Sequence, residues 1–250
     1  MIRIGTSGWQ YDDWSGPFYP RGLPRARWLS FYAERFPAVE LNRSFYRLPR
    51  EEDFRRWRDA TPEGFTMAVK ASRFLTYLRR LRDPAEPVAR LWSAARALGP
   101  RLGPVLFQLP PAFPVDLARL DRTLAALPEG MRAAFEFRDP SWHATAVFER
   151  LEMVGAALVW PDRPGERARL PLLSGWAYLR LHRGRTDAPG YPPAKLRRIA
   201  SRIAALPARE VWAFCNNDKG GEAIRDARTL TRLVEDLGAT VAHPPLRRGA

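Results

Sequence analysis

The chain has 250 residues, of which 46% are hydrophobic and 27% charged, a balance that supplies the apolar surface of a packed core and excludes a disordered chain. Its formal charge of +14 comes from arginine far more than from lysine. The charge leaves two interpretations open, a solvated surface of compositional origin or a functional basic field that attracts nucleic acid or small anions.

The start of the chain and its single cysteine bear on the cellular compartment. No secretory signal is visible, and no uninterrupted apolar run reaches the roughly 18 residues of a membrane span. Cys215 cannot form an internal disulfide, which fits a reducing environment. We therefore expect a soluble, cytoplasmic protein with no membrane partner.

Short apolar or β-branched runs alternate along the chain with segments of helical spacing. The runs predict strands over residues 3–7, 38–42, 66–71, 104–109, 133–138, 156–160, 176–182 and 211–216. The segments between them predict helices over residues 25–36, 51–59, 85–98, 117–127, 145–154, 194–206 and 223–237. The sixth connection, 161–171, is rich in proline, arginine and glycine and predicts a loop or a single turn, so the sixth helix is weak or missing.

This alternation requires a parallel sheet, because every strand is entered from the same end through a crossover helix. Eight such units predict a single-domain α/β fold over residues 1–242, an eight-stranded parallel β/α barrel of the TIM type. The alternative is an open doubly wound sheet, whose usual phosphate turn needs a third glycine where this chain has aromatic residues after Gly8. The tail, 243–250, is a candidate for disorder.

The carboxyl ends of the strands of such a barrel converge on one mouth, where these enzymes place their chemistry. Nearly every predicted strand ends in a group that can donate, accept or carry charge. These residues are Ser7, Trp9, Glu40, Asn42, Lys70, Gln108, Glu136, Arg138, Asp162, Arg180, His182, Asn216 and Asn217. A packed core does not need this ring, so it predicts a functional site. The alternative is a structural ion network, in which Glu40 pairs with Lys70 and Glu136 pairs with Arg138 or Arg180.

Three residues of the ring are candidates for catalysis. Glu40 and Glu136 lie on strands three apart and would face one another across the mouth, which suits acid and base roles. His182 is the candidate proton carrier near neutral pH, and a structural role for it is equally open. No cofactor is predicted; a divalent ion between these three residues is the one metal site considered, and no cluster shows ligand spacing.

The predicted substrate-binding set is Trp9, Asn42, Lys70, Gln108, Arg138, Arg180, Asn216 and Asn217. Lys70 could be a nucleophile, an anion clamp or an ion-pair partner. The aromatic residues of segment 9–19 either stack on a ligand or plug the mouth. Segment 216–221, together with Arg183 and Arg185, either holds a phosphate at a helix start or is a glycine turn.

Several of these segments form recognisable motifs: Gly5-Thr6-Ser7-Gly8-Trp9, Trp14 with Phe18-Tyr19-Pro20, Val39-Glu40-Leu41-Asn42 with Phe45-Tyr46, Leu106-Phe107-Gln108-Leu109-Pro110-Pro111, Phe135-Glu136-Phe137-Arg138 with Ser141-Trp142, Leu179-Arg180-Leu181-His182, and Asn216-Asn217. From residue 4 to about 237, the chain resembles the YecE-like family, domain of unknown function 72. The resemblance implies a β/α barrel with a polar cleft at the strand ends and no established reaction. The chain departs from the family pattern at Tyr77, where a histidine is expected, and at Arg183, where a glycine is usual.

These observations favour an enzyme of hydrolase or lyase type that acts on a small hydroxylated or anionic substrate, such as a phosphorylated one. The alternative from another class is a protein that binds or processes nucleic acid through its basic surface. A non-catalytic, ligand-binding barrel is the third hypothesis. No protein partner is predicted.

Overall fold

Eight parallel strands form a closed barrel in the computed structural model, which describes residues 1–162, 170–182 and 190–244. Each strand pairs with the next along the chain, and the last pairs with the first. The strands are β1 (Ile2–Ser7), β2 (Ala38–Leu41), β3 (Thr66–Lys70), β4 (Leu102–Gln108), β5 (Ala133–Glu136), β6 (Ala157–Asp162), β7 (Trp176–Leu181) and β8 (Glu210–Cys215). The predicted barrel and its eight strands are confirmed.

The helices of the described residues are α1 (Trp28–Ala33), α2 (Arg43–Tyr46), α3 (Glu51–Asp59), α4 (Ala85–Ala95), α5 (Leu117–Ala125), α6 (Thr145–Met153), α7 (Pro193–Ala204) and α8 (Glu222–Asp236). All seven predicted helices form; α3 has the predicted bounds and the other six have shifted ends. The predicted helix 85–98 ends at Ala95, because a positive φ of 54° at Gly99 and the missing amide hydrogen of Pro100 stop the regular ladder. The short helix α2 and a π-helical turn, Phe74–Leu78, were not predicted.

Most of the sixth connection, 163–169, lies outside the described residues, as do Arg183 and Arg185 and the tail from 245. Residues 170–175 contain no helix. Among the described residues, no helix is both long enough and apolar enough to cross a membrane.

The barrel lumen is filled unevenly. Large aromatic side chains come from two adjacent strands, β7 and β8, and alanines face them from four others. The lumen residues are Ala38, Ala68, Leu106, Ala134, Ala157, Val159, Trp176, Tyr178, Trp212 and Phe214. All of them are nearly inaccessible to solvent, so the barrel is a packed core and the space for a ligand lies above it.

The seam between β1 and β2 contains a side-chain bridge. The hydroxyl of Tyr32, from α1, accepts a hydrogen bond from the Thr6 amide at 2.9 Å and donates one to the Ala38 carbonyl at 3.1 Å. Gly5 makes room for this arrangement, because a Cβ at that position would clash with the Ala38 carbonyl oxygen. One buried tyrosine thus links the first two strands of the barrel.

Candidate functional site

The site residues form the layer of side chains directly above the lumen. Side chains alternate between the two faces of a strand, so a residue two positions after a lumen residue also points inward. This rule places six polar residues at the mouth, each from a different strand: Glu40, Lys70, Gln108, Glu136, Arg180 and Asn216. The mouth therefore collects most of the predicted ring.

Arg180 is the centre of this layer. Its Nε and Nη2 donate to the two oxygens of Glu40 at 2.9 and 2.7 Å, and its Nη1 donates to Oε2 of Glu136 at 2.7 Å. No more than 1% of the surface of any of these three residues is exposed. We call the three residues the carboxylate clamp. The predicted carboxylates do face one another, with a guanidinium between them.

Burial and charge set the ionisation of the clamp. Burial alone would raise the pKa of Glu40, but the charge and hydrogen bonds of Arg180 outweigh it, so that pKa lies below its ordinary value. Tyr178 donates to Oε2 of Glu40 at 2.6 Å, and Ser7 donates to Oε1. Burial and the nearby Glu40 charge raise the pKa of the Tyr178 hydroxyl, so it stays a donor. Glu40 is therefore an ionised, fully hydrogen-bonded anchor.

Glu136 and His182 occupy the other side of the clamp. Gln108 donates to Oε2 of Glu136 at 2.8 Å, while His182 Nε2 lies 3.8 Å from its Oε1. The Nδ2 atom of Asn216 lies 2.7 Å from His182 Nδ1. On its other side the ring presents Nε2 to both Glu136 Oε1 and Nη1 of Arg180, which is 3.4 Å away. Asn216 thus orients the predicted proton carrier toward a carboxylate.

A cleft of about 440 Å³ opens above the clamp. We call it the mouth cleft, and it is lined by Gly8, Trp9, Gln10, Tyr11, Asn42, Arg43, Tyr46, Lys70, Gln108, Arg138, Arg180, Asn216 and Asp218. A second cavity of about 400 Å³ shares Tyr46, Lys70, Gln108 and Arg138 with it. Glu40 and Glu136 are fully buried beneath the floor. A ligand in the mouth cleft would meet the amides and cations first.

Three polar groups at the mouth cleft make no hydrogen bond to the described residues. Asn42 donates to Ser7 Oγ at 2.8 Å through Nδ2, but its buried Oδ1 accepts no hydrogen bond. The buried Nε of Arg138 forms an ion pair with Glu136 Oε1 at 3.5 Å, as predicted, but makes no hydrogen bond. The ammonium of Lys70 has neither a hydrogen bond nor an ion pair there; it lies 4.0 Å from the centre of the Phe45 ring. Asn42 Oδ1 is thus an acceptor without a hydrogen bond, and Arg138 Nε and Lys70 Nζ are donors without one.

Lys70 has the most altered ionisation of these groups. Burial, aided by the charge of Arg180, lowers the pKa of its ammonium from 10.5 to about 8, although Glu40 and Glu136 oppose the change. Only 7% of its surface is exposed. The predicted ion pair between Lys70 and Glu40 does not form, because Arg180 takes both oxygens of that carboxylate. Lys70 is therefore a partly deprotonated amine at neutral to mildly basic pH.

The aromatic segment after β1 divides between the core and the mouth cleft. Trp9 lines the cleft, with its ring edge packed against Trp57 at 5.8 Å. Trp14 and Tyr19 are fully buried, and Tyr19 stacks on Trp28 at 4.5 Å. Trp14 and Tyr19 thus pack as a plug, whereas Trp9 and Tyr11 line the cleft.

Two predicted positions point elsewhere. Asn217 donates through Nδ2 to Asp226 of α8 at 2.7 Å and does not line the mouth cleft. Asp162 accepts a hydrogen bond from Tyr191 at 2.6 Å and pairs with Lys195 at 2.8 Å. In the glycine segment, the Gly220 amide donates to the Asp13 carboxylate at 2.6 Å, and Gly220 has a φ of 67°. A glycine turn is therefore present, with a carboxylate of the chain itself at its amide.

Three residues of the site were missed from the sequence. Tyr178 could have been found, because it lies two positions before Arg180 on the same inward face. Tyr77 donates to Oε1 of Gln108 at 3.2 Å, and its departure from the family pattern was the available signal. Arg43 lines the mouth cleft from α2, a helix too short to show any periodicity in the sequence.

The metal site considered between the two glutamates and His182 does not form in this arrangement. The Arg180 guanidinium occupies the space between the carboxylates. Across the described parts of the chain, no group of three histidine, cysteine, aspartate or glutamate side chains is placed to hold a metal ion.

Comparison with known families gives one match that covers nearly the whole chain. Residues 3–249 match the family described as protein of unknown function DUF72. The UPF0759 protein YunF of Bacillus subtilis is 31% identical over 162 residues, which cover 60% of this chain and 55% of YunF. The UPF0759 protein YecE of Escherichia coli K12 is 31% identical over 145 residues, covering 58% of this chain and 51% of YecE. The chain spans about half the length of these curated relatives.

Solved structures match this chain over a larger share of its length than the curated relatives do. A DUF72 family protein of Thermotoga maritima superposes with a TM-score of 0.84 at 26% identity, covering 94% of this chain and 99% of that one. A DUF72 family protein of Enterococcus faecalis gives a TM-score of 0.79 at 18% identity over the full length of both chains. At that lower identity the likeness shows the fold alone.

Proposed function

We infer the function of this chain from the premise that it belongs to DUF72, a family of proteins of unknown function with a barrel fold. We propose that it is an enzyme of hydrolase or lyase type, and that its substrate is a small molecule with both an anionic group and a hydroxyl group. The substrate binds in the mouth cleft, above the carboxylate clamp.

The observation that carries this proposal is the set of polar groups at the mouth cleft that make no hydrogen bond to the described residues. A buried donor or acceptor without a partner costs roughly 1–3 kcal/mol, so a folded protein keeps such groups where a ligand completes them. Lys70 and Arg138 offer donors with positive charge, which suit a carboxylate or phosphate. Asn42 Oδ1 offers an acceptor, which suits a hydroxyl.

The charges around the cleft support an anionic ligand. Both clamp carboxylates are engaged by Arg180, so neither faces the cleft as a free negative charge. Lys70 and Arg138 line the cleft floor, and Arg43 extends the positive lining from α2. Asp218 is the one carboxylate among the cleft-lining residues. The field inside the cleft is therefore positive on balance.

Proton transfer is assigned to His182, whose side chain is 14% exposed, with the buried Glu136 beside it as a supporting carboxylate. Their closest atoms lie 3.8 Å apart, and Asn216 fixes the ring from its other side. A proton passed to the ring is stabilised by the nearby carboxylate. Glu40 lies beneath the floor and contacts Arg180, so its role is to position that guanidinium.

Ligand-dependent stabilisation tests the proposal. We expect inorganic phosphate, 3-phosphoglycerate and citrate to raise the melting temperature of the protein, with larger shifts for the hydroxylated anions. Arg138→Met and Asn42→Ala should reduce these shifts, whereas Arg55→Met on the exposed face of α3 should leave them intact. Equal shifts in all three variants would place the anion outside the mouth cleft. For any compound that the protein converts, Glu136→Gln should lower kcat with a smaller effect on KM.

A second candidate function rests on the rim of the cleft. Tyr46 is 71% exposed, and the exposed Arg43, Arg47 and Arg73 lie close to it in the chain or along the adjoining cavity. An exposed aromatic ring among cations suits stacking on single-stranded nucleic acid. This candidate predicts an affinity for oligonucleotides that falls steeply with salt and is lost in Tyr46→Ala. Affinity that does not change with salt would count against it.

A further inference from the structure

Lysine is rare in this chain. It has 38 arginines and three lysines, Lys70, Lys195 and Lys219. Lys219 is exposed, and Lys195 pairs with Asp162 at 2.8 Å outside the mouth cleft. The remaining lysine lies on the cleft floor, in the layer that also holds the carboxylate clamp. A chain that uses arginine for almost every cation thus places lysine at its candidate site.

The two cations differ in what they can do chemically. Arginine stays charged throughout the accessible pH range and suits permanent binding of an anion. A lysine ammonium can lose its proton, and the neutral amine is a nucleophile. The cleft already has Arg138 and Arg180 for holding charge. A third group for that purpose alone would not need to be a lysine.

The surroundings of Lys70 favour the neutral amine. Its Nζ atom lies against the face of Phe45, which offers no hydrogen-bond acceptor. The charged groups that face it are Glu40, Glu136, Arg138 and Arg180, and the two carboxylates are held by Arg180. Lys70 borders both the mouth cleft and the adjoining cavity, so a small molecule has access to its amine.

We propose that Lys70 is a catalytic nucleophile that forms an imine with an aldehyde or ketone substrate bearing an anionic group. This inference rests on the proposed function, because it uses the same cleft. It narrows the substrate to a carbonyl compound and the reaction to lyase chemistry. Arg138 would hold the anionic group beside the reacting carbon.

The covalent step balances without a further reagent. The neutral amine forms a bond to the carbonyl carbon, and the π pair of the carbonyl moves to its oxygen, which takes up a proton. The oxygen then takes a second proton, from the nitrogen, and leaves as water, which gives the protonated imine. The sum is a lysine ammonium and a carbonyl compound giving a protonated imine and water. In a lyase cleavage, the electron pair of the bond between the α and β carbons moves toward the iminium and forms an enamine, and the β carbon, which carries a hydroxyl group, leaves as a second carbonyl compound once that hydroxyl has given its proton to water.

Enough neutral amine is present for this step. With a pKa of about 8, roughly 10% of the Lys70 side chains are neutral at pH 7, against about 0.03% for an ordinary lysine. The burial of most of the Lys70 side chain, which lowers the pKa of its ammonium, is also what supplies the nucleophile.

Reductive trapping tests the inference. The intact protein is incubated with glyceraldehyde 3-phosphate or pyruvate and sodium cyanoborohydride, and labelled peptides are quantified by mass spectrometry. We expect labelling of Lys70 to exceed that of Lys195 and Lys219 by about tenfold or more, because its neutral fraction is larger. Lys195→Arg should leave that labelling unchanged, and Lys70→Arg should abolish it. In the wild-type protein, added citrate should reduce the labelling of Lys70 by competing with the carbonyl compound for the mouth cleft, which tests the location of the reaction without a variant.

The outcomes separate the two proposals. If the extent of labelling follows solvent exposure, so that Lys219 is labelled most, the proposal that Lys70 forms an imine is wrong. Equal labelling of the three lysines would also contradict it. If citrate raises the melting temperature of the wild type but not of Arg138→Met, and Lys70 stays unlabelled, the anion site in the mouth cleft stands and the imine is wrong. If Lys70 is labelled and no anion either stabilises the protein or competes, the imine stands and the anionic substrate is wrong.

Discussion

Two buried cations at the mouth have opposite surroundings. Arg180 is engaged by two carboxylates, and their charges raise the pKa of its guanidinium even though burial opposes this. Lys70, on the same floor, has no such partner among the described residues, and its pKa falls. Pairing, more than depth, therefore decides which of the two groups can release a proton.

Replacing Lys70 with methionine should stabilise the protein. The folded state disfavours the charged amine by the difference between 10.5 and about 8, which corresponds to at most about 3 kcal/mol. Below pH 8 the amine is protonated in both states, so the full cost is present. Between pH 8 and 10.5 the unfolded chain binds more protons, so the wild type gains stability as pH rises. The difference in free energy of unfolding between Lys70→Met and the wild type, measured in urea, should therefore shrink between pH 8 and 10.5.

Lys195→Met is the matched control, because its amine pairs with a carboxylate at a partly exposed position. It should show no comparable gain at neutral pH. A Lys70→Met variant less stable than the wild type at pH 7 would contradict the expectation.

Removing Arg180 should destabilise the fold in a pH-dependent way. Arg180→Met leaves Glu40 and Glu136 buried without their shared counter-charge, at a cost of about 3–5 kcal/mol. Because the folded pKa of Glu40 is lowered, the stability it contributes is present above its ordinary value of 4.5 and is lost as pH falls. The deficit of the variant should therefore narrow in acid. Arg55→Met breaks an exposed ion pair and should change stability by less than about 1 kcal/mol.

The positions of the site residues could be read from the sequence, but their partners could not. The strand-end rule correctly predicted that Glu40, Glu136 and Arg180 lie at one mouth. It could not show that the guanidinium lies between the carboxylates, because that depends on the width of the barrel and on side-chain length. For the same reason, the sequence allows three roles for Lys70, of which the pairing with Glu40 does not form.

At the scale of elements, the strands were predicted better than their ends. The predicted fifth and seventh strands extend to Arg138 and His182. In the structure, β5 ends at Glu136 and β7 ends at Leu181. Arg138 and His182 follow the ends of these strands; the His182 amide still donates to the Asp162 carbonyl at 3.1 Å. The Arg138 side chain lines the cleft, and the His182 side chain lies beside the clamp. The π-helical turn Phe74–Leu78 was missed because so short a segment has no amphipathic period to detect.

The bridge at the β1–β2 seam makes the link between two elements testable. Tyr32→Phe removes the hydroxyl that bonds both the Thr6 amide and the Ala38 carbonyl, so two buried backbone groups lose a partner. We expect a loss of about 1–3 kcal/mol and faster hydrogen exchange at the Thr6 amide. Phe31→Leu on the same helix should leave that exchange rate unchanged. Unaltered exchange in Tyr32→Phe would show that the seam does not depend on the hydroxyl.

For the whole molecule, the uneven lumen concentrates packing energy on β7 and β8. Trp212 is 2% exposed and faces the small side chains of the opposite strands. Trp212→Ala should cost about 3–5 kcal/mol, since the alanines around the lumen cannot fill the space. Denaturant unfolding measures the loss, and added indole should restore part of it by occupying the cavity. Met153→Ala, at an 83% exposed position, should change little.

The clamp also constrains how the chain can be made. Glu40 meets Arg180 across 140 positions of sequence, and Glu136 meets it across 44. A nascent polypeptide released before β7 would carry two carboxylates toward its interior with no guanidinium to neutralise them. Six of the eight strands are thus electrostatically incomplete by themselves, and translation must pass Arg180 in β7 before the molecule can close around balanced charge.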